Sequence, residues 1–314
     1  MGKTNRAPIG EVTGYSRSSI PVPDSAERAA SRAGERHRLF GFAWHTINIL
    51  LIITFFASAF CIGWEYSVRR YLRGFSDAVV PAQGTPEGKV EAILVWMSNG
   101  PTRLPAGPDV AASDRDPTAT LNYQALLTVC GTAVNAFINL ADSSGLSARR
   151  LLLLDKDRRT KHVVAEVLID GRWIVVDPTF RSIPRAPDGR LLTRTDLANP
   201  AVLEAATKNF PRYDASYTYD HTAHIRISRI RLVGGPLRRI LNTLAPGWED
   251  SATVSLLVER QSYLAAAVSV LLLLFLLIAR AAFRWFGETR LGLRPSRFRD
   301  QLRRATHAFL ETAS

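Results

Sequence analysis

The chain has 314 residues, 46% of them hydrophobic and 22% charged, with a formal net charge of +12. This composition excludes a wholly disordered protein and one entirely embedded in a bilayer. The basicity does not imply nucleic-acid binding, because no zinc-knuckle spacing, phosphate-binding glycine loop or basic–aromatic alternation accompanies it.

Residues 1–38 are rich in Ser, Arg, Ala, Pro and Gly and are expected to form a disordered tail. From Leu39 to Trp64 no side chain carries a full charge, which is long enough for a tilted transmembrane helix. Ala57-Ser58-Ala59 resembles a signal-peptidase site. The apolar run, however, exceeds the roughly 7–15 residues of a signal-peptide core. The expectation is an uncleaved anchor over 39–64, with Asn48 and His45 turned to the other span or to interfacial water. A second span is expected over 261–283, where Gln261 to Ala279 is again uncharged, followed by a basic tail over 284–314. Arginines crowd both tails, among them Arg28, Arg36, Arg284 and Arg294. Positive flanks stay cytoplasmic, so both termini are expected inside and residues 65–260 outside. Inner-membrane lipids are therefore expected partners.

Within 65–260, Val90, Ile93, Leu94 and Met97 recur at helical spacing over Glu87 to Asn99. Gly100, Pro101 and Pro105 open a loop. A helix is predicted from Cys130 to Asp142, buried on most sides by Val134, Phe137, Ile138 and Leu140. Leu151 to Leu154 reads as a buried strand, and Val163 to Ile169 and Trp173 to Val176 as two more. Asp170-Gly171 between the last two is a strong hairpin signal. A helix followed by antiparallel strands makes this an α+β domain. The stretch from Ile225 to Leu241, which mixes apolar and basic residues, is read as an ordinary strand–turn–helix with a solvated basic face; contact with the membrane surface is the competing reading.

The chain has two cysteines, and Cys61 lies in the first span, so Cys130 is alone in the exported segment. Such a thiol is either buried and inert or used. Folding the hairpin about Asp170-Gly171 pairs Leu168 with Trp173, Glu166 with Val175 and Ala165 with Val176. His162 and Asp177 then share a face as diagonal neighbours, close enough for their side chains to touch. A one-residue slip would separate them. Cys130 at a helix N-terminus has its thiolate favoured by the macrodipole, with free N–H groups available to an oxyanion. Gly131 leaves room for a substrate backbone. His37, His45 and His307 fall in the tails or a span. His221 and His224 lack a surrounding thiol or carboxylate cluster, so no metal or other cofactor is expected.

These residues resemble the core of the transglutaminase-like superfamily. The resemblance runs from Leu121 to Phe180 and rests on Cys130; on Gly145, Ala148 and Arg149; on His162, Glu166 and Val167; and on Gly171, Trp173, Asp177 and Pro178. It implies a papain-like α+β fold, a buried helix on an antiparallel sheet set between two transmembrane helices. It also implies a Cys130–His162–Asp177 triad acting through a thioester on a peptide or protein amide, by hydrolysis or acyl transfer, in a bacterial inner membrane. Many members carry an aromatic residue two after the histidine, where this chain has Val164. Asn122, Tyr123 and Gln124 are candidates by position for a further oxyanion donor. Trp173 is weighed as core tryptophan against substrate platform, and Glu166 as a structural carboxylate. The alternative function is a non-catalytic scaffold or binding module of an envelope or polysaccharide assembly.

Overall fold

The computed structural model describes residues 25–99, 116–121, 129–225, 234–290 and 292. Two units arise among them, one from residues within 1–50 and 276–314, the other from Leu51–Phe275. Helix α1 (Ser25–Val79) and the last helix (Gln261–Arg290) each run through both. The two are long and apolar enough to cross a membrane. Their large apolar side chains point outward, as Phe60, Phe42 and Ile278 show, so neither resembles the core helix of a water-soluble domain.

Helix α1 is longer than the expected span at both ends. Residues 25–38, expected as a disordered tail, are helical. Ala26, Ala29, Ala30, Ala33 and Glu35 are strong helix formers that continue the apolar helix without a break. At the other end the helix passes Trp64 and reaches Val79, because no Gly-Pro stop intervenes before Pro81. In the first unit Phe40 stacks on Phe283 at 4.8 Å. Arg280 donates from Nε to Asn48 Oδ1 at 2.8 Å and lies over the Trp44 ring. Polar Asn48 thus meets the other span, where a hydrogen bond offsets the cost of its burial.

In the second unit, α2 (Pro86–Ser98) starts at Thr85, whose side chain accepts from the Gly88 N–H, and buries Val90, Ile93, Leu94 and Met97. A short α3 (Pro117–Thr120) precedes α4 (Cys130–Ser143), which is buried continuously from Gly131 to Ala141. The sheet follows: β1 (Ala148–Leu154), β2 (Thr160–Ile169) and β3 (Arg172–Val176). Next come α5 (Arg194–Leu197), α6 (Pro200–Thr207), a two-residue β4 (Thr222–Ala223) and α7 (Gly234–Leu244). A 3-10 turn (Trp248–Asp250) and α8 (Ala252–Glu259) lead into α9 (Gln261–Arg290).

The described sheet has the antiparallel order β3-β2-β1-β4. Asp170 and Gly171 both have positive φ, 47° and 77°, as a two-residue hairpin with the strands' own twist requires. The resulting register pairs Ala165 with Val176, Glu166 with Val175 and Leu168 with Trp173. Alternation then separates two cores. Val163, Ala165 and Val176 join the core under α4, while Val164, Val175 and Leu153 pack with Leu192 and Tyr219 on the other face. The first core begins well before residue 121, since Val68 and Leu72 of α1 are buried in it.

Candidate active site

The two strands bring His162 and Asp177 together. His162 Nε2 donates to Asp177 Oδ2 at 2.8 Å, and both residues are almost wholly buried. The other carboxylate oxygen, Oδ1, accepts from the Thr179 and Phe180 N–H groups at 3.0 and 3.3 Å. Asp177 therefore caps the turn behind it with one oxygen and holds the imidazole with the other. An aspartate accepting the N–H two residues on is an Asx turn, and Asp177-Pro178-Thr179 is the sequence signal for it.

Beside His162 the β1–β2 ladder is irregular. Leu153 pairs with His162 but Leu154 pairs with Thr160, which leaves Lys161 as the extra residue of a bulge. Bulges re-aim the neighbouring side chain and concentrate next to active sites. The imidazole is also clamped by aromatic rings. Tyr217 stacks on it at 4.4 Å with planes 9° apart, and Phe180 meets it edge-on at 5.9 Å. Tyr213 and Tyr219 lie behind. Burial and then the Asp177 charge push the Tyr213 hydroxyl well above the phenol range, and burial does the same for Tyr219, so both stay neutral.

Cys130 is the first residue of α4, half-buried, after an extended Val129 whose side chain caps nothing. Its thiol lies near enough to the His162 ring to help raise the pKa of that ring. Nε2 is committed to Asp177, and Nδ1 is buried without a full hydrogen bond of its own. The His162 pKa rises from 6.5 to about 9. Burial, the largest single influence, pushes it down. The Asp177 charge and hydrogen bond, then Cys130, together outweigh it. At neutral pH the ring is an imidazolium, the partner that favours a thiolate.

Gly131 is buried, and its carbonyl accepts from Arg150 Nη2 at 3.1 Å. Trp173 is half-buried, with the Arg149 guanidinium 3.9 Å above its ring. Asn122, Tyr123 and Gln124 lie outside the described residues.

Glu166, on the His162 face of β2, accepts from Arg149 Nε at 2.7 Å and from His224 Nε2 at 2.8 Å. His224 Nδ1 reaches Asp250 Oδ1 at 2.6 Å. Burial pushes the Glu166 carboxyl up, but His224 and Arg149 reverse this and hold it below its ordinary value. His221, three residues before His224, is exposed. Glu166→Gln removes the carboxylate that pairs with the buried Arg149 guanidinium and bonds the buried His224 ring, and should lower the unfolding free energy by roughly 3–5 kcal/mol. Denaturant titration checks this. An unmoved midpoint would mean that the cluster does not hold β4 and the 3-10 turn to the sheet.

Residues 73–178 match the family model of the transglutaminase-like superfamily. That segment is a transglutaminase-like domain. The match takes in the end of α1, all of α2 and α4, and the hairpin through Pro178, and so contains Cys130, His162 and Asp177. No curated protein and no solved structure matches the chain. The α+β architecture of the domain, an antiparallel sheet backed by the buried α4, agrees with the fold expected from the sequence.

Proposed function

We propose that the transglutaminase-like domain is a thiol enzyme acting on amide bonds, with Cys130 as nucleophile, His162 as acid–base group and Asp177 as the residue that orients it. The observation that carries the reading is one buried imidazole held by a buried carboxylate, with the Cys130 thiol adding to the rise of its pKa. Cys130 Sγ, as thiolate, bonds to the carbonyl carbon, and the carbonyl electron pair moves to oxygen. Collapse expels the amine, which takes its proton from His162, and leaves a thioester. Water or a second amine attacks this, losing a proton to His162, and the S–C bond breaks. The N–H groups at the start of α4 are donors for the transient oxyanion. Hydrolysis is favoured over cross-linking, since it needs no second substrate.

The two apolar helices anchor the domain, and the arginine-rich flanks set both termini in the cytoplasm and the domain outside a bacterial inner membrane.

The test is alkylation of Cys130 by iodoacetamide across pH 5 to 9 in full-length protein with Cys61 replaced by serine. The expected midpoint lies well below the reference thiol value of about 8.5, and moves upward in His162→Ala. Labelling that follows an ordinary thiol in both proteins would instead favour a scaffold built on the same fold.

A further inference from the structure

A chain of buried charges that the triad does not use runs behind α4. Arg150 lies on the strand neighbouring His162 and is 8% exposed. Its Nη2 donates to Gly131 O, in the first turn of the nucleophile's helix. Its Nε stands 3.0 Å from Glu259 Oε1, an ion pair rather than an aligned hydrogen bond. Glu259 is fully buried, and its other oxygen, Oε2, accepts from Asn135 Nδ2 at 3.1 Å, one turn further along α4. The next residue, Arg260, is also buried. It donates to Asn139 Oδ1 and Asp142 Oδ2 of α4 and to Glu65 Oε1 of α1. Ser262, the second residue of α9, donates to Glu65 Oε2 at 2.7 Å. The segment entering the second apolar helix is thus bonded to α4 from Asn135 to Asp142, and through Arg150 to its first turn.

We propose that Arg150 and Glu259 are positioning residues for the Cys130 nucleophile, fixing the first turn of α4 and its local charge from the segment that enters α9. The role rests on the reading of Cys130 as nucleophile.

The charges give the role a signature. Arg150 and Glu259 neutralise each other against the first two turns of the helix that Cys130 begins, in surroundings where screening is weak. Removing the cation alone leaves a carboxylate that disfavours thiolate, and removing the anion alone leaves a guanidinium that favours it. The other charged groups on elements packed against α4 sit differently. His162 of β2 is bonded to Asp177, Lys89 of α2 donates to Ser144 O at the far end, and Arg149 of β1 lies on Glu166. A single-charge change at Arg150 or Glu259 is therefore uncompensated by them.

The experiment uses full-length protein in detergent micelles on the Cys61→Ser background, and reads the pH midpoint of iodoacetamide labelling at Cys130. Arg150→Met should raise the midpoint by about one pH unit and Glu259→Gln should lower it by a similar amount. The double variant should return towards the parent. Opposite shifts with recovery support the role, because simple loosening of the fold moves both variants the same way. Shifts that are absent or of one sign overturn it. If Arg150→Met does not fold, Glu259→Gln against the double variant still decides. An ordinary thiol midpoint in the parent itself overturns the nucleophile reading, and this role with it. An activated parent with unmoved variants overturns the role alone.

Discussion

Cys130→Ala is expected to abolish turnover of any amide that the wild type cleaves, a loss of about 10⁴-fold or more, while the domain stays folded. The chain's other cysteine, Cys61, lies in the apolar helix α1 and outside the family-matched segment, which leaves Cys130 as the thiol beside the His162 site. Loss of a nucleophile removes a whole reaction path, so effects of this size or larger are the rule. Stability should change by about 1 kcal/mol at most, since Cys130 is half-buried at the edge of the core and alanine is a good helix residue. Initial rates alongside a denaturant titration check both halves. Retained turnover in the folded variant would sink the thiol mechanism, and loss of both together would leave a structural cysteine as the better account.

The parts of this site that were legible in the sequence are those governed by local rules. Asp170-Gly171 dictated a two-residue turn. That turn set the register, and parity along two strands put His162 and Asp177 on one face. The burial of α4 followed from apolar residues around its whole circumference. Tyr217, by contrast, reaches the His162 ring through an irregular stretch after α6, with no periodicity to place it. Glu65 and Arg260 had the appearance of ordinary charges bounding the spans, and a domain drawn over 65–260 ends on both of them. In the structure they pair with each other in the interior. A pattern tells which face of an element is apolar, but not which distant element will bring a counter-charge to its edge. His224 illustrates the same limit: its two carboxylate partners come from β2 and from the 3-10 turn, far from it in the chain.

The second large effect is expected at Asp177, and it separates orientation from chemistry. Asp177→Asn keeps the shape and one oxygen to accept the Thr179 and Phe180 N–H groups, but removes the charge. Burial then acts on His162 with its main opponent gone, so the ring's pKa should fall from about 9 towards or below the free value of 6.5. The imidazole becomes neutral at pH 7, its thiolate-favouring charge disappears, and an amide facing Nε2 no longer selects the productive tautomer. Rates should drop by about 10³–10⁴-fold, the scale seen when the orienting carboxylate of a triad becomes an amide. The basic limb of the pH–rate profile, set at about 9 by the loss of the His162 proton, should move to lower pH in the variant. Stability should carry the same sign. A folded-state pKa raised above 6.5 contributes stability that is complete below that value and lost as pH rises through about 9. Wild-type unfolding free energy should therefore decline over that window, and the Asn variant should be flatter across it. A variant that keeps the wild-type limb would show that Asp177 only caps its turn, and that the His162 charge is held by other groups.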